Sequence, residues 1–305
     1  MLLLLCSAGG VAAFVVVGDR RTDASPSGKA SSEPSSPPKA MSVAEYQAVL
    51  TEVDGLLGPA WQKVVGAGNR TATSEAAMAL SQAARDSESR LAYLTAPEEA
   101  KDGHEHLMRA FSSSSNGFSN LAVTVQRGEV CASSSAVSQV TGSVAANEVR
   151  EAVKAFGSTF TFGAWLPGPA PQQDRKLGNG TYVKKGTLNG SGEFTINNGG
   201  GKTDVVVSLV PNGTKAAATT VYISAGQTFK VKRVRDGSYQ IYMATGSDWD
   251  SGAAGFTRDC HLSKFTDPIE FKTTSRQYTT WEITLKPSTG GNAHTDSVDP
   301  ADFPQ

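Results

Sequence analysis

Residues 228–244 read TFKVKRVRDGSYQIYMA, and this stretch decides the fold of the C-terminal half. Apolar and polar residues alternate on both sides of Asp236-Gly237, and a period of two is typical of strands with one buried face. Asp-Gly is a favoured turn dipeptide. The stretch therefore predicts two strands, Thr228–Val234 and Ser238–Ala244, joined by a tight turn.

The same alternation recurs between Thr181 and Leu285 in short runs. Turn signals such as Asn198-Gly199 and Asn212-Gly213 separate these runs. About eight short strands at this spacing predict an antiparallel β-sandwich over residues 176–287. The other predicted strands are Glu193–Asn197, Asp204–Leu209, Thr219–Ser224, Cys260–Phe265, Ile269–Lys272 and Tyr278–Leu285.

Residues 42–157 have a helical period instead. Ser42-Val43-Ala44-Glu45 is a capping box, and apolar residues follow it at every third or fourth position. We expect four helices with short connections, which indicates an antiparallel bundle. The first has a kink or break near Gly55–Gly58 because of Pro59, and the second runs from about Ser74 to Leu94. The third ends at Arg127 and the fourth at Phe156, with a short turn near 134–140. The fold class is thus α+β in two separate domains, joined by a linker at 158–175.

The N-terminus is apolar from Leu2 to Val17 and is then rich in Ser, Pro, Gly and Ala up to Ala40. We expect residues 1–18 to be a membrane anchor or signal segment and residues 19–41 to be a disordered spacer. Sixteen helical residues span roughly 24 Å, less than the ~30 Å of a bilayer core. Only Met1 precedes the leucines, and Arg20 and Arg21 lie on the wrong side of the apolar run for export of the C-terminus. We therefore expect the true start codon upstream, with a basic stretch before the leucines. The leading expectation is a single-pass cell-membrane protein with an extracellular C-terminal region. The alternatives are secretion after cleavage behind Ala13, an anchored protein with an internal orientation, and an apolar tail on a cytoplasmic protein. Leu5 before Cys6 disfavours a lipoprotein.

Charge is unevenly distributed along the chain. Residues 41–157 hold 9 Lys/Arg and 13 Asp/Glu, a net of −4, whereas residues 175–287 hold 15 and 9, a net of +6. The two halves can attract one another, or the basic half can face a cell-wall polymer or another envelope protein. The alternative is that both halves are simply solvated. No dense Lys/Arg run with interleaved aromatics appears, so we expect no nucleic-acid partner. Residues 288–305 are predicted to be a disordered acidic tail.

No catalytic motif is present. The sequence lacks G-x-S-x-G, H-E-x-x-H, a P-loop and a dinucleotide fingerprint, and we expect a protein that is not an enzyme, with no catalytic or cofactor-binding residues. His104 and His106 are two apart on a helix and so cannot share a metal. His104 is expected at the edge of the core and His106 on a solvated face.

The one polar concentration is the predicted loop Gly246–Gly252, which contains Asp248-Trp249-Asp250. Asp248 and Asp250 can offer hard oxygens to a metal such as Ca²⁺, and Trp249 suits a stacked sugar ligand. The same two carboxylates can serve a cell-wall hydrolase. The alternative is a capped turn in which Trp249 covers the sandwich edge.

Outside the N-terminal segment the chain has two cysteines, Cys131 and Cys260. An oxidising exterior disfavours idle thiols, so we expect a disulfide between the two domains. Two buried free cysteines are the alternative.

Two resemblances follow from these residues. The run Val221–Gly246, with Ala225-Gly226 and Asp236-Gly237-Ser238-Tyr239, resembles the closing hairpin of prealbumin-like sandwich modules. The whole organisation, with Phe256-Thr257-Arg258 and Tyr278-Thr279-Thr280-Trp281, resembles uncharacterised exported and membrane-anchored proteins of actinobacteria. These resemblances imply location and architecture but no activity.

The leading functional expectation is a non-catalytic, membrane-tethered binding or scaffold protein of the cell envelope. A hydrolase that uses the paired carboxylates is one alternative. The other is a ligand sensor with a pocket in the helical bundle, for which His104 is the candidate polar group.

Overall fold

The helices begin and end at residues that can satisfy their free backbone groups. In the computed structural model, which describes residues 39–112, 116–285 and 294–304, the capping box forms as predicted. Ser42 N–H donates to the Glu45 carboxylate at 2.8 Å, and Glu45 N–H donates to Ser42 Oγ at 3.3 Å. The described α-helices are α1 Val43–Val65, α2 Arg70–Leu91, α3 Lys101–Ser112, α4 Gly117–Arg127, α5 Ser133–Thr141 and α6 Val144–Phe156, with a 3-10 turn at Glu98–Ala100.

Within the described residues, six α-helices thus replace the four that were predicted. The first helix runs through Pro59 without a break, because Leu57 and Trp61 on either side are both buried in the core. The third predicted helix is divided, since the Asn116 side chain accepts the Phe118 and Ser119 N–H groups and starts α4. The predicted turn near residues 134–140 is helix α5.

Helix α2 also begins earlier than predicted. The side chain of Asn69 accepts the N–H of Ala72 at 2.9 Å, so the helix starts at Arg70 instead of Ser74. This cap places the first turn of α2 close to the sheet, where it becomes part of the site described below.

The helical core extends into the predicted linker. Phe160 and Phe162 are buried among the helices. Trp165 Nε1 and Gly163 N–H both donate to Asp54 on α1 at 3.0 Å. Burial raises the pKa of Asp54, although these two hydrogen bonds act to lower it. The first half of the connecting segment is therefore packed on α1.

The strands of the described ranges form two sheets. The larger sheet has the order β1-β4-β3-β6-β7-β10, with β8 also paired to β6, and the smaller has the order β5-β2-β9. All described pairs are antiparallel except β2 with β9, which are parallel. The strands are β1 Tyr182–Lys184, β2 Gly192–Asn197, β3 Asp204–Pro211, β4 Thr219–Ile223, β5 Thr228–Val234, β6 Gly237–Asp250, β7 Gly255–Phe265, β8 Ile269–Phe271, β9 Thr280–Thr284 and β10 Thr295–Ser297.

The two sheets pack face to face as a sandwich. Phe194 and Val231 of the smaller sheet and Val207 and Ile241 of the larger sheet are fully buried in one core. Strands β5 and β6, predicted from residues 228–244, belong to different sheets. The turn at Asp236-Gly237 therefore crosses between sheets, and Arg233, with φ 64°, bends the chain just before it.

The α+β class is confirmed, with helices first and a sandwich-like sheet region after them. The last described α-helix ends at Phe156 and the first described strand begins at Tyr182, on either side of the predicted linker; a 3-10 turn follows at Pro300–Asp302. Residues Lys39–Gln305 nevertheless form one compact unit.

Two further segments differ from expectation. Strand β6 continues to Asp250, so Asp248, Trp249 and Asp250 lie on a strand and not in a loop. Within the tail predicted to be disordered, Thr295–Ser297 pairs with β7 as strand β10. In both segments side-chain contacts with the sheet, described below, add to the backbone pairing.

The predicted anchor and nearly all of the predicted spacer lie outside the described residues. Among the residues that are described, no helix has the length and apolar character needed to cross a membrane.

Candidate functional site

The two predicted metal-binding carboxylates are held by one arginine. Asp248 Oδ1 accepts the backbone N–H and the Nε–H of Arg175, both at 2.8 Å, and Oδ2 accepts Arg175 Nη2 at 2.7 Å. The hydroxyl of Thr257 donates to the same Oδ2 at 2.6 Å. Arg175 Nη1 lies 3.0 Å from Asp250 Oδ2. The guanidinium therefore bridges both carboxylates.

Both carboxylates are kept ionised by these contacts. Burial acts to raise the pKa of Asp248, but the hydrogen bonds from Arg175 and Thr257 and the charge of Arg175 hold it well below its ordinary value. For Asp250, burial is likewise outweighed by the N–H groups of Gly252 and Ala253 and by Arg175, and its pKa is lowered. A general acid of a glycoside hydrolase needs a raised pKa. The geometry is that of a structural ion-pair network.

Trp249 faces away from this network. Its side chain is 4% exposed and packs edge-to-face against Tyr222 and Phe256, with ring centroids 6.0 and 5.1 Å apart. A sugar stacks on an open aromatic face, which Trp249 does not present. The side chain instead forms part of the apolar outer face of the larger sheet.

The structure joins Cys131 and Cys260 by a disulfide, with Cα atoms 6.4 Å apart. The bond links the α4–α5 connection to strand β7. Two backbone hydrogen bonds accompany it: Cys131 N–H donates to Thr257 O, and Cys260 N–H donates to Gly128 O, each at 2.7 Å. The helical part and the sheet are thus connected covalently and by paired backbone groups.

The two histidines of the bundle lie in different environments. His104 Nδ1 is 3.0 Å from the hydroxyl of the buried Tyr46, and burial lowers the pKa of His104. His106 Nδ1 lies 2.7 Å from Glu148 Oε2, a contact that lowers the pKa of Glu148. In the described ranges, no group of three or more His, Cys, Asp or Glu side chains could hold a metal ion.

A cleft of about 770 Å³ lies on the outer face of the larger sheet. Its floor is formed by alternate residues of four strands, including Val206, Ser208, Thr220, Ala244 and Leu262. Ligand sites in proteins have volumes of ~300–1,000 Å³. The size and concave shape make this cleft the candidate functional site.

Three segments wall the cleft. The start of α2, residues 68–71, lies on one side, the disulfide on another and the C-terminal Pro300–Pro304 on a third. Phe303 packs edge-to-face on Tyr242 of β6, with centroids 5.9 Å apart, which holds the tail in place. Small residues at 253–255, at the tip of the β6–β7 hairpin, also line the cleft.

Sequence reasoning singled out Trp249 and the two cysteines of this cleft and missed the rest. Arg70, Lys184 and Phe303 carry no motif, and they come from segments more than 100 residues apart in the sequence. Only the alternation of residues within each strand could have placed Val206 and Ala244 on the same face.

No protein-family model, no curated protein and no solved structure matches this chain. The prealbumin-like and actinobacterial resemblances therefore stay predictions.

Proposed function

We propose that this protein is a non-catalytic binding protein of the cell envelope, tethered to the membrane by its N-terminal segment and using the cleft as its binding site. The observation that carries the proposal is the cleft itself: about 770 Å³, with a floor of aliphatic, aromatic and hydroxyl side chains and a disulfide in its wall. Sites of this kind bury a small ligand against apolar side chains and orient it with a few polar groups.

The location rests on two arguments. The disulfide between Cys131 and Cys260 is typical of oxidising compartments outside the cytosol. The apolar run Leu2–Val17 and the Ser/Pro-rich spacer are typical of a tether that holds a folded part away from the membrane.

The hydrolase alternative is the weaker proposal. The candidate acids Asp248 and Asp250 are bridged by Arg175, and the pKa of each is lowered. The sensor alternative needs a free polar group in the bundle, and the candidate His104 is hydrogen-bonded to Tyr46.

The location is tested by protease treatment of intact cells that express the full chain with a C-terminal tag. We expect the tag to be removed without lysis. A tag that stays protected until the cells are lysed would refute the external location. A cytosolic control protein, which must stay intact, shows that the cells are sealed.

The binding role is tested by chemical crosslinking in the same cells. The full chain is compared with a variant in which Ala132→Phe narrows the cleft wall, since Ala132 is only half-buried. We expect the crosslinked products of the wild-type chain to be lost in the variant. An unchanged pattern from a folded variant would show that the cleft is not the binding site.

A further inference from the structure

The charged side chains that line the cleft all have one sign. Among its described lining residues, Arg70 and Lys184 are the charged ones, and no aspartate or glutamate is present. A cavity with a largely apolar floor and an arginine in its wall is complementary to a molecule that is apolar along its body and anionic at one end.

Arg70 has donors left for such a ligand. In the described part of the chain, Arg70 Nη2 donates to the carbonyl of Val125 at 3.4 Å, and no carboxylate pairs with the guanidinium. A guanidinium has five N–H donors in a planar arrangement that matches a carboxylate or a phosphate. The side chain is half-buried at the wall of the cleft, so a hydrogen bond from it to an anion is only partly screened by water.

The first turn of α2 adds to the positive potential. Arg70 is the first residue of this 22-residue helix, and the first turn holds no acidic side chain. The free N–H groups and the helix dipole at an N-terminus favour a negative charge there. Residues 68–71 form this part of the wall, so Arg70 and the helix end act on the same region.

The floor offers little to a polar ligand. The hydroxyls of Ser208 and Thr220 are hydrogen-bonded to each other at 2.9 Å. Around them the floor is formed by aliphatic and aromatic side chains, among them Val206, Trp249 and Phe256. A sugar needs several polar partners, whereas an acyl chain needs none, and this favours an apolar body over a glycan.

We propose that the cleft binds an amphiphilic anion, with an acyl chain or similar apolar body on the sheet floor and a carboxylate or phosphate head at Arg70. This inference rests on the proposed function, because it assumes that the cleft is the binding site. It adds the chemical class of the ligand and the residue that recognises its head.

The test is photocrosslinking of the purified full chain in phosphatidylcholine nanodiscs. Three probes share one twelve-carbon chain with a mid-chain diazirine and differ in the head: carboxylate, phosphate or trimethylammonium. Crosslinked peptides are mapped by mass spectrometry. We expect at least one anionic probe to label β6, β7 or the 300–304 segment at least tenfold more than the cationic probe. The stronger of the two anionic probes identifies the head.

The matched variants are Arg70→Gln, Arg70→Lys and Arg90→Gln. Arg90 lies near the other end of the same helix, where it pairs with Glu52 outside the cleft. We expect Arg70→Gln to lower anionic labelling about tenfold, since a charge-assisted hydrogen bond is worth at least the ~1.4 kcal/mol that corresponds to that factor. Arg70→Lys should lower the labelling less than Arg70→Gln, because it keeps the charge but loses the planar donor array, and Arg90→Gln should leave the labelling unchanged.

The outcomes separate this inference from the proposed function. Equal labelling of the cleft by anionic and cationic probes would overturn the anion specificity and leave the cleft as an apolar binding site. Labelling outside the cleft, or no labelling at all, would overturn the amphiphile ligand. In that case the Ala132→Phe comparison in cells still decides whether the cleft binds a partner of another kind.

Discussion

From the ion-pair network of Arg175 we predict how far the substitution Asp248→Asn lowers the free energy of unfolding. Asp248 has a side chain that is 2% exposed and accepts hydrogen bonds from Arg175 and Thr257. Its backbone lies in the left-handed region, with φ 57°. The substitution keeps the shape but removes the charge and turns an NH₂ group toward groups that donate.

The expected cost follows from the burial of the two partners. Breaking a buried ion pair costs ~3–5 kcal/mol, because a charge is left without its partner. The side chain of Arg175 is 39% exposed and can be partly hydrated when it loses its partner. The cost should therefore lie at the lower end of this range. We expect a loss of about 3 kcal/mol in the free energy of unfolding, a large part of the ~5–15 kcal/mol typical of proteins.

The assay is urea unfolding at neutral pH with the disulfide intact, followed by circular dichroism. A loss of about 3 kcal/mol lowers the urea midpoint by roughly 1 M when the slope is near 3 kcal/mol/M. The matched control is Asp250→Asn, whose side chain is 23% exposed. An amide oxygen can still accept the Gly252 and Ala253 N–H groups, so we expect a loss below about 1 kcal/mol. Equal losses in the two variants would refute the reasoning.

The same network sets a pH dependence. The folded pKa of Asp248 is lowered, so its contribution to stability is complete above the ordinary aspartate pKa of ~3.9 and is lost as the pH falls below that value. The difference in stability between the wild-type chain and Asp248→Asn should therefore shrink below about pH 4. A difference that stays constant down to pH 2.5 would contradict this.

Three further predictions concern the contact between helices and sheet and the metal. The double variant Cys131→Ala with Cys260→Ala removes a disulfide that spans 129 residues of sequence, and its free energy of unfolding should fall by about 2–5 kcal/mol. Equal melting temperatures of the wild-type chain with and without reductant would contradict this. Gly128→Ala should lower the free energy of unfolding by more than about 1 kcal/mol, because φ of Gly128 is +77° and a Cβ there would lie 2.7 Å from the carbonyl oxygen of Cys260. Gly157→Ala, with φ +55° and no atom within 4 Å of its Cβ, should lose less in the same urea titration. Millimolar Ca²⁺ should leave the melting curve unchanged relative to chelator, because the arginine already binds the two aspartates; a rise in melting temperature would restore the calcium site.

Much of the fold could be predicted because local patterns decide it. Strand β5 has the predicted bounds, Thr228–Val234, since alternation and flanking turn residues mark both ends. The capping box at Ser42 gave the start of α1 for the same reason, as it needs residues only three apart. The pairing of strands could not be predicted in this way. Strand β2 is parallel to β9, which lies more than 80 residues later in the chain.

The role of Asp248 shows why the site was harder to predict. Judged from the local sequence alone, two acidic residues on either side of a tryptophan are typical of a ligand-binding loop. Their partner Arg175 is 73 residues away from Asp248 in the sequence, and no local signal connects the two. The cleft has the same difficulty, because its walls come from α2, the disulfide and the C-terminal segment.

The connecting segment 158–175 has a consequence for how the protein could be released from a cell. Its first half binds α1 through Asp54, and its last residue, Arg175, binds β6. The disulfide also joins the helical part to the sheet. A single protease cut between these two points would leave both fragments attached to each other. If the chain is tethered as proposed, a cut in this segment would not release the sheet region into the medium, whereas a cut before Lys39 would release a product that carries the intact cleft.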